Sequence, residues 1–441
     1  MDYRKQFEEM LDGSARTLNT SAEREHRASA PPSPPSPLEE RVGERRPFTV
    51  LNAAVRGDPP MSCRTHICGA LAENDDLLSL PLSSKGGEGN DAAPSEHRGA
   101  YKDQTPAPIL ALAPMQDVTD LPFLRLMAAY GGADVYVTEY FRVYANSHLD
   151  KNILKSVTEN PTGRPIIAQM IGNDIPSLVR TARELQQYPV AAVDLNLGCP
   201  APVVYRKCAG GGLLRDPQHV DAILGALRDA VGIPFTVKTR IGFDSAEVFS
   251  ELLPIFAKHS LDLLTVHART VKEMYRSEVH YDFIARAVAE LPCPVLANGN
   301  VYSARKADEV LKATGARGLM IGRGAIRNPW LFRQIRQHQT GEPLFIPRGV
   351  DVLAYVRALY EAVCSPDVRE SAQVQKMKKY LNYLGVGVEP TGQFLHQVRR
   401  VTTSAELFGV CEEFLDHDRP MPLEPFPLVL KDTDVMAGEQ H

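Results

Sequence analysis

Long apolar runs are missing from this sequence. No uninterrupted stretch approaches the roughly 18 residues that a membrane-spanning helix needs, and the opening MDYRKQFEEM is charged where a secretory leader would be apolar. An excess of positive charge is missing too. The 49 Lys and Arg stand against 54 Asp and Glu, a formal charge of −5, so a surface for a polyanion has to be a local patch. Regular cysteine spacing is also absent. Cys63, Cys68, Cys199, Cys208, Cys293, Cys364 and Cys411 are odd in number and irregularly placed, which argues against a disulfide framework and fits a reducing compartment. Cys63 and Cys68 with His66 between them make half a metal site, and no second pair lies nearby, so no metal is expected. A soluble, cytoplasmic protein without a membrane partner is the expectation.

What is present is enough for two or more domains. The chain has 441 residues, 44 % hydrophobic and 23 % charged, which allows an ordinary core. Residues 1–105 are unlike the rest. Stretches such as ASAPPSPPSPLEERVGERR and SSKGGEGNDAAPSEHRG are rich in Pro, Ser, Gly and charge and bury too little apolar surface to offset chain entropy. This region is expected to be a disordered, low-complexity extension, with a short helix at its extreme start.

From Ile109 onward, short apolar runs recur: ILALAP, DVYVTE, PIIAQMI, AAVDLNL, PFTVKT, LLTVH, PVLANG and GLMIG. Amphipathic stretches such as IPSLVRTARELQQY separate most of them. Strand and helix alternating in this way predict an α/β fold, a (β/α)8 TIM barrel over 106–340. An open doubly wound sheet is the competitor, but APMQDVTD stands where its glycine-rich fingerprint would follow the first strand. After Pro347 the period becomes helical in DVLAYVRALYEAV, SAQVQKMKKYLNYL, GQFLHQVRRV and SAELFGVCEEFL. This predicts a small all-α domain over 345–417. The Pro-rich stretch from 418 to 441 is expected to be an extended tail.

In such a barrel the active site lies at the carboxyl ends of the strands. Those ends carry Pro114 and Met115, Glu139, Gln169, Asn196 with Cys199, Lys238 with Arg240, His267 with Arg269, Asn298 with Gly299, and Gly322 with Arg323. A barrel end kept for stability alone needs no such ring of polar groups. The glycine turns ANGN and IGRGAI predict a phosphate site, with Arg323 as an added cation. Lys238 could stabilise a reduced flavin ring, and Gln169 offers donor and acceptor to its pyrimidine edge. Flavin mononucleotide (FMN) fits this mouth. Cys199 admits two roles, a nucleophile if a base lowers its pKa or a general acid if it keeps its proton. Arg206 and Lys207, on the loop behind it, suit a polyanionic substrate.

The order of APMQDVTD, DLNLGCP with RKCAGGGLL, VKTRIG, VHART, ANGN and MIGRGA resembles the tRNA-dihydrouridine synthases. The segment from KMKKYLNYLG to QFLHQVRRV is similar to their tRNA-binding domain. The resemblance spans about 106–415. TEYFRVY and the helical segment lean towards the bacterial C type, whereas RKCAGGGLL is closer to the B type. It implies an FMN enzyme that reduces the C5–C6 double bond of a tRNA uridine at the expense of NADPH. Hydride would pass to C6 and Cys199 would protonate C5. Pro114, Met115, Gln169, Lys238, His267, Asn298, Gly299, Gly322 and Arg323 would hold FMN, and Asn196 would orient the uracil. Arg206, Lys207, Arg269, Lys376, Lys379, Arg399 and Arg400 would face tRNA. The family usually has Gly at Ala268 and Trp at Phe283; both departures bear on substrate fit. Position 16 or 20 of the D-loop is implied, with a lean to 16, and a monomer without obligate protein partners is expected. A uridine inside folded tRNA has to be flipped out to reach a barrel floor. Two other readings are an FMN barrel acting on a free small molecule and an inactive RNA-binding relative.

Overall fold

The computed structural model describes residues 2–13 and 106–427. Residues 14–105, with Cys63, Cys68 and His66, and residues 428–441 lie outside the described part, and with them the expectations placed there.

Eight parallel strands close into a barrel: β1 (Ile109–Leu112), β2 (Val135–Val137), β4 (Ile166–Ile171), β5 (Ala192–Leu197), β6 (Phe235–Arg240), β7 (Leu263–His267), β8 (Val295–Asn298) and β9 (Gly318–Ile321). A two-residue strand, β3 (Phe141–Arg142), pairs with the upper end of β4 and continues the line of β2 after a break. β1 pairs with both β2 and β9, which closes the ring. Each predicted apolar run is therefore a strand, and helices fill the intervals.

Successive strand residues point to opposite faces, and this divides the apolar residues into two cores. Leu110, Leu112, Ala168, Met170, Val193, Leu195, Val237 and Val266 face outward into the layer of helices. Ile109, Ala111, Val135, Val137, Ile167, Ala192, Leu263, Leu296 and Met320 pack together inside the barrel. Further along the same inward registers come Gln169, Asp194, Asn196, Lys238, Arg240 and His267. The barrel interior is apolar at its amino end and polar at its carboxyl end.

The amino end is sealed by helix α1 (Tyr3–Leu11). Asp2 caps it by accepting from the N–H groups of Arg4 and Lys5. Tyr3, Phe7, Met10 and Leu11 recur at helical spacing and join the interior core, with Phe7 completely buried. Arg4 donates to the carbonyls of Gln186, Tyr188 and Val190 at 2.8–3.2 Å. Arg317 donates to the Met10 carbonyl at 2.8 Å. The expected short helix at the start of the chain is thus a plug for the barrel floor.

The helical segments after the barrel are Gly349–Val363, Glu370–Leu384, Gln393–Val398 and Ser404–Leu415. They form one compact unit with the barrel. Tyr380, fully buried, donates to the Val118 carbonyl at 2.8 Å and stacks on Phe123. Residues 418–427 then run back along the barrel as extended chain. Met421 N–H donates to Pro347, Arg327 to the Leu423 carbonyl, and Arg305 pairs with Glu424. Among the described residues no helix is long and apolar enough to cross a membrane, and no cluster of three or more His, Cys, Asp or Glu could hold a metal ion.

Candidate active site

The carboxyl end of the barrel holds a continuous polar network. Gln169 donates through Nε2 to Asp194 Oδ2 at 2.8 Å and accepts at Oε1 from Asn196 at 2.8 Å. Thr236 donates to the other oxygen of Asp194 at 2.6 Å. Burial pushes the Asp194 carboxyl up to about 6, against the pull of Thr236, Gln169 and Lys238. Lys238 is pulled down to about 8 by burial and by Arg240. The register explains the cluster, since Gln169 pairs with Asp194 and Asn196 with Lys238 on adjacent strands.

Cys199 follows β5 by two residues, and Asn196 fixes it there. Oδ1 of Asn196 accepts the N–H groups of both Gly198 and Cys199 at 2.9 Å. Gly211 N–H donates back to the Cys199 carbonyl at 3.2 Å. Gly210 has φ +54°, and a Cβ there would come within 3.0 Å of the Cys199 Cβ, so both its conformation and its room require glycine. Burial pushes the Cys199 thiol above its ordinary value, while Tyr140, Arg240 and Lys238 pull the other way. The Tyr140 hydroxyl lies close enough to act on the thiol, and its own pKa is pushed up to about 12, chiefly by burial.

Beyond Cys199 lies a group of cations. Arg240 is 1 % exposed and has no ion pair among the described residues. It donates to the carbonyls of Gly198 at 3.0 Å, Thr270 at 2.8 Å and Met274 at 2.7 Å. The thiol loop and the loop after β7 are therefore held by one side chain. Arg269 donates to Ser277 at 2.6 and 2.9 Å, and its Nη1 lies 3.4 Å from His267 Nε2. Burial and four neighbouring cations (Arg240, Lys238, Arg269 and Arg323) keep His267 neutral, well below its usual value. Arg323 reaches Asn300 at 3.3 Å and covers the Tyr275 ring at 4.6 Å.

The remaining expected cofactor residues line the same mouth. Asn298 donates to the Met320 carbonyl at 2.7 Å. Gly299 sits at φ +132°, with its carbonyl accepting from Tyr281 at 2.8 Å. Met115 lies against Gly322, where a Cβ would meet its sulfur at 3.1 Å. Pro114 is half-buried beside it.

The expected RNA residues fall into two sets. Arg206 and Lys207 are exposed behind Cys199, without ion pairs among the described residues. On the helices, however, Lys376 pairs with Asp120 at 2.9 Å and Lys379 with Asp117 at 3.7 Å. Arg399 donates to Asn382 at 3.1 Å and Arg400 to the His396 carbonyl at 2.8 Å. Lys376 and Lys379 thus join the helices to the loop after β1. That loop also contains Glu139's neighbours. Burial, together with Asp120 and Asp117, pushes the Glu139 carboxyl up to about 7, and its Oε1 is buried without a hydrogen-bond partner. Tyr140 and the clamp made by Arg240 are absent from the sequence reading. Tyr140 follows Glu139 at the end of an apolar run, inside TEYFRVY, and nothing in its spacing marks it as a partner of a cysteine 59 residues later. Ala268 is fully buried, with its carbonyl accepting from His280, and Phe283 packs edge-on against Phe249.

Comparison with known proteins gives a consistent family. The model described as dihydrouridine synthase (Dus) matches residues 111–418. A tRNA-dihydrouridine(16) synthase of Neisseria meningitidis is 30% identical over 313 residues, covering 69% of this chain and 94% of that protein. The tRNA-dihydrouridine synthase B of Pasteurella multocida is 29% identical over 311 residues, covering 69% and 92%. That of Pseudomonas putida is 37% identical over 244 residues, covering 54% and 71%.

Proposed function

Because this chain belongs to the dihydrouridine synthase family, we propose that it reduces the C5–C6 double bond of a D-loop uridine in tRNA, using bound FMN and NADPH. The observation that carries this reading is the setting of Cys199, a thiol held protonated at a barrel mouth whose far side is crowded with cations.

The residues present fit an anionic flavin nucleotide. Lys238, Arg240, Arg269 and Arg323 have no ion pair among the described residues. The carboxylates acting on them are engaged elsewhere, Asp194 with Gln169 and Thr236, and Glu273 with Thr270 and His280. Such a group is in want of an anion. Arg323 with Gly299 and Gly322 would take the phosphate, and Lys238, Gln169 and His267 the ring. FMN supplies the hydride when bound, and NADPH restores it.

The chain's own residues supply the rest. Asn196 holds the loop of Cys199 in place and presents its amide to the uracil. Cys199 gives its proton to C5 as a general acid; burial keeps that proton in place until the substrate takes it. Tyr140 stands beside the thiol and favours its anion, which eases release of the proton. No imidazole is hydrogen-bonded to Cys199 among the described residues, and burial raises the thiol where a nucleophile needs it lowered, so an activated nucleophile has no support. A tRNA uridine must leave its stack to reach this depth, and position 16 is favoured over 20 on the likeness to the Neisseria protein.

The test combines a spectrum with product analysis. Purified protein should show flavin absorption that bleaches with NADPH and recovers faster with unmodified tRNA, and digested product tRNA should contain dihydrouridine. Flavin turnover indifferent to tRNA would instead favour a small-molecule reductase. Failure to take up FMN at all would overturn the cofactor assignment.

A further inference from the structure

Three loops at the carboxyl end of the barrel meet around one aromatic pair. Tyr205, from the loop after β5, and Phe243, after β6, pack edge to face with centroids 5.3 Å apart. The Arg215 guanidinium lies 3.6 Å from the Phe243 centroid and 5.7 Å from that of Tyr205. The Lys272 ammonium, from the loop after β7, lies 5.5 Å and 5.9 Å from the same two rings.

This platform is built rather than fortuitous. Lys272 N–H donates to the Phe243 carbonyl at 3.0 Å and Val271 N–H to the Gly242 carbonyl at 2.9 Å, which pins two of the loops together. Gly211 and Gly212 let the third approach. A Cβ on Gly211 would fall 2.4 Å from Val271, and one on Gly212 2.5 Å from the Tyr205 carbonyl oxygen. The triple glycine therefore serves the platform as well as Cys199.

Both cations are exposed, and neither has an ion pair among the described residues, although the whole chain is acidic. Two like charges that share one ring repel each other, and the rings offset only part of that cost. An anion bound at this platform would relieve it. A guanidinium lying on a ring keeps its N–H edge free for a bidentate phosphate.

The position selects the anion. Around the ring β6 stands four strands from β1 in either direction, and the helices after the barrel join the loop after β1. The platform thus lies across the mouth from the helices. We propose that Arg215 and Lys272 form a phosphate clamp for the RNA backbone beside the uridine that enters the mouth, on the side opposite the helices. This inference rests on the proposed function of the mouth.

The test is tRNA binding to the FMN-loaded full chain across a series of KCl concentrations. Each phosphate contact contributes about 0.7–0.9 to the slope of log affinity against log salt. Arg215→Gln with Lys272→Gln should flatten that slope by about 1.4–1.8, while the flavin spectrum and melting temperature stay those of the parent. Arg215→Lys should keep the slope. Lys155→Gln, on an outer helix, should change neither. A double variant with the parental slope and affinity overturns the clamp. A parent protein that does not bind tRNA overturns the proposed function instead.

Discussion

Asn196 and Cys199 are joined by a hydrogen bond from the Cys199 N–H to the Asn196 Oδ1 at 2.9 Å, so the residue that would meet the uracil also sets where the thiol stands. Asn196 is held in turn by Gln169, and Gln169 by Asp194. Asn196→Ala removes the acceptor and leaves two backbone donors unpaired. The rate on tRNA should fall about 100-fold, as expected for a misplacement of about 1 Å. Flavin content should be unchanged, and single-turnover assays with NADPH and tRNA check both.

Cys199→Ala should retain the flavin spectrum and lose about 10²–10⁴ in turnover on tRNA, the usual contribution of a placed general acid. The pH dependence of the parent adds a second check. Burial raises the thiol above its ordinary value, so the acid form persists to higher pH. The alkaline limb of the rate profile should lie above the value of about 8.5 for a free thiol. Full turnover in the alanine variant would remove Cys199 from the mechanism.

Glu139 makes the joint between barrel and helices sensitive to pH. Its folded value of about 7 lies above the ordinary carboxyl value. Between the two the folded protein binds more protons than the unfolded chain, so stability falls as pH rises through this window and levels off above it. Glu139→Gln should therefore raise the melting temperature at pH 8 and leave it nearly unchanged near pH 4.5. Thermal melts across that range decide the matter.

Phe7 is completely buried in the barrel floor. Phe7→Ala should cost about 3–5 kcal/mol of stability, read from denaturant unfolding. Removal of the first 100 residues, harmless if they are all disordered, should lower stability by at least as much because helix α1 goes with them.

The barrel is legible in the sequence because its strands are buried on both faces and its helices on one, which writes two different periods into the chain. The ring of mouth residues is legible for the same reason, as polar residues end apolar runs. Partners across the fold are not. Lys376 and Lys379 read as a free basic face, because a helix's own sequence does not say which carboxylates another element brings to it. Asp120 and Asp117 lie more than 250 residues earlier. Arg240 reads as one more polar residue at a strand end, yet it is buried and holds three carbonyls from two loops. Phe7 offers only helical spacing in a charged decapeptide; the cavity that makes it a plug exists once eight distant strands have closed.

The seal on the barrel floor also has an order in time. Helix α1 is made before any of the strands it covers, and Arg317 follows Met10 by 307 positions. At about 5–20 residues per second, the helix waits roughly 15–60 s on the growing chain before Arg317 exists. A segment made before every strand is thus among the last to find its place, and Tyr3, Phe7, Met10 and Leu11 have no complete barrel floor to cover throughout that interval.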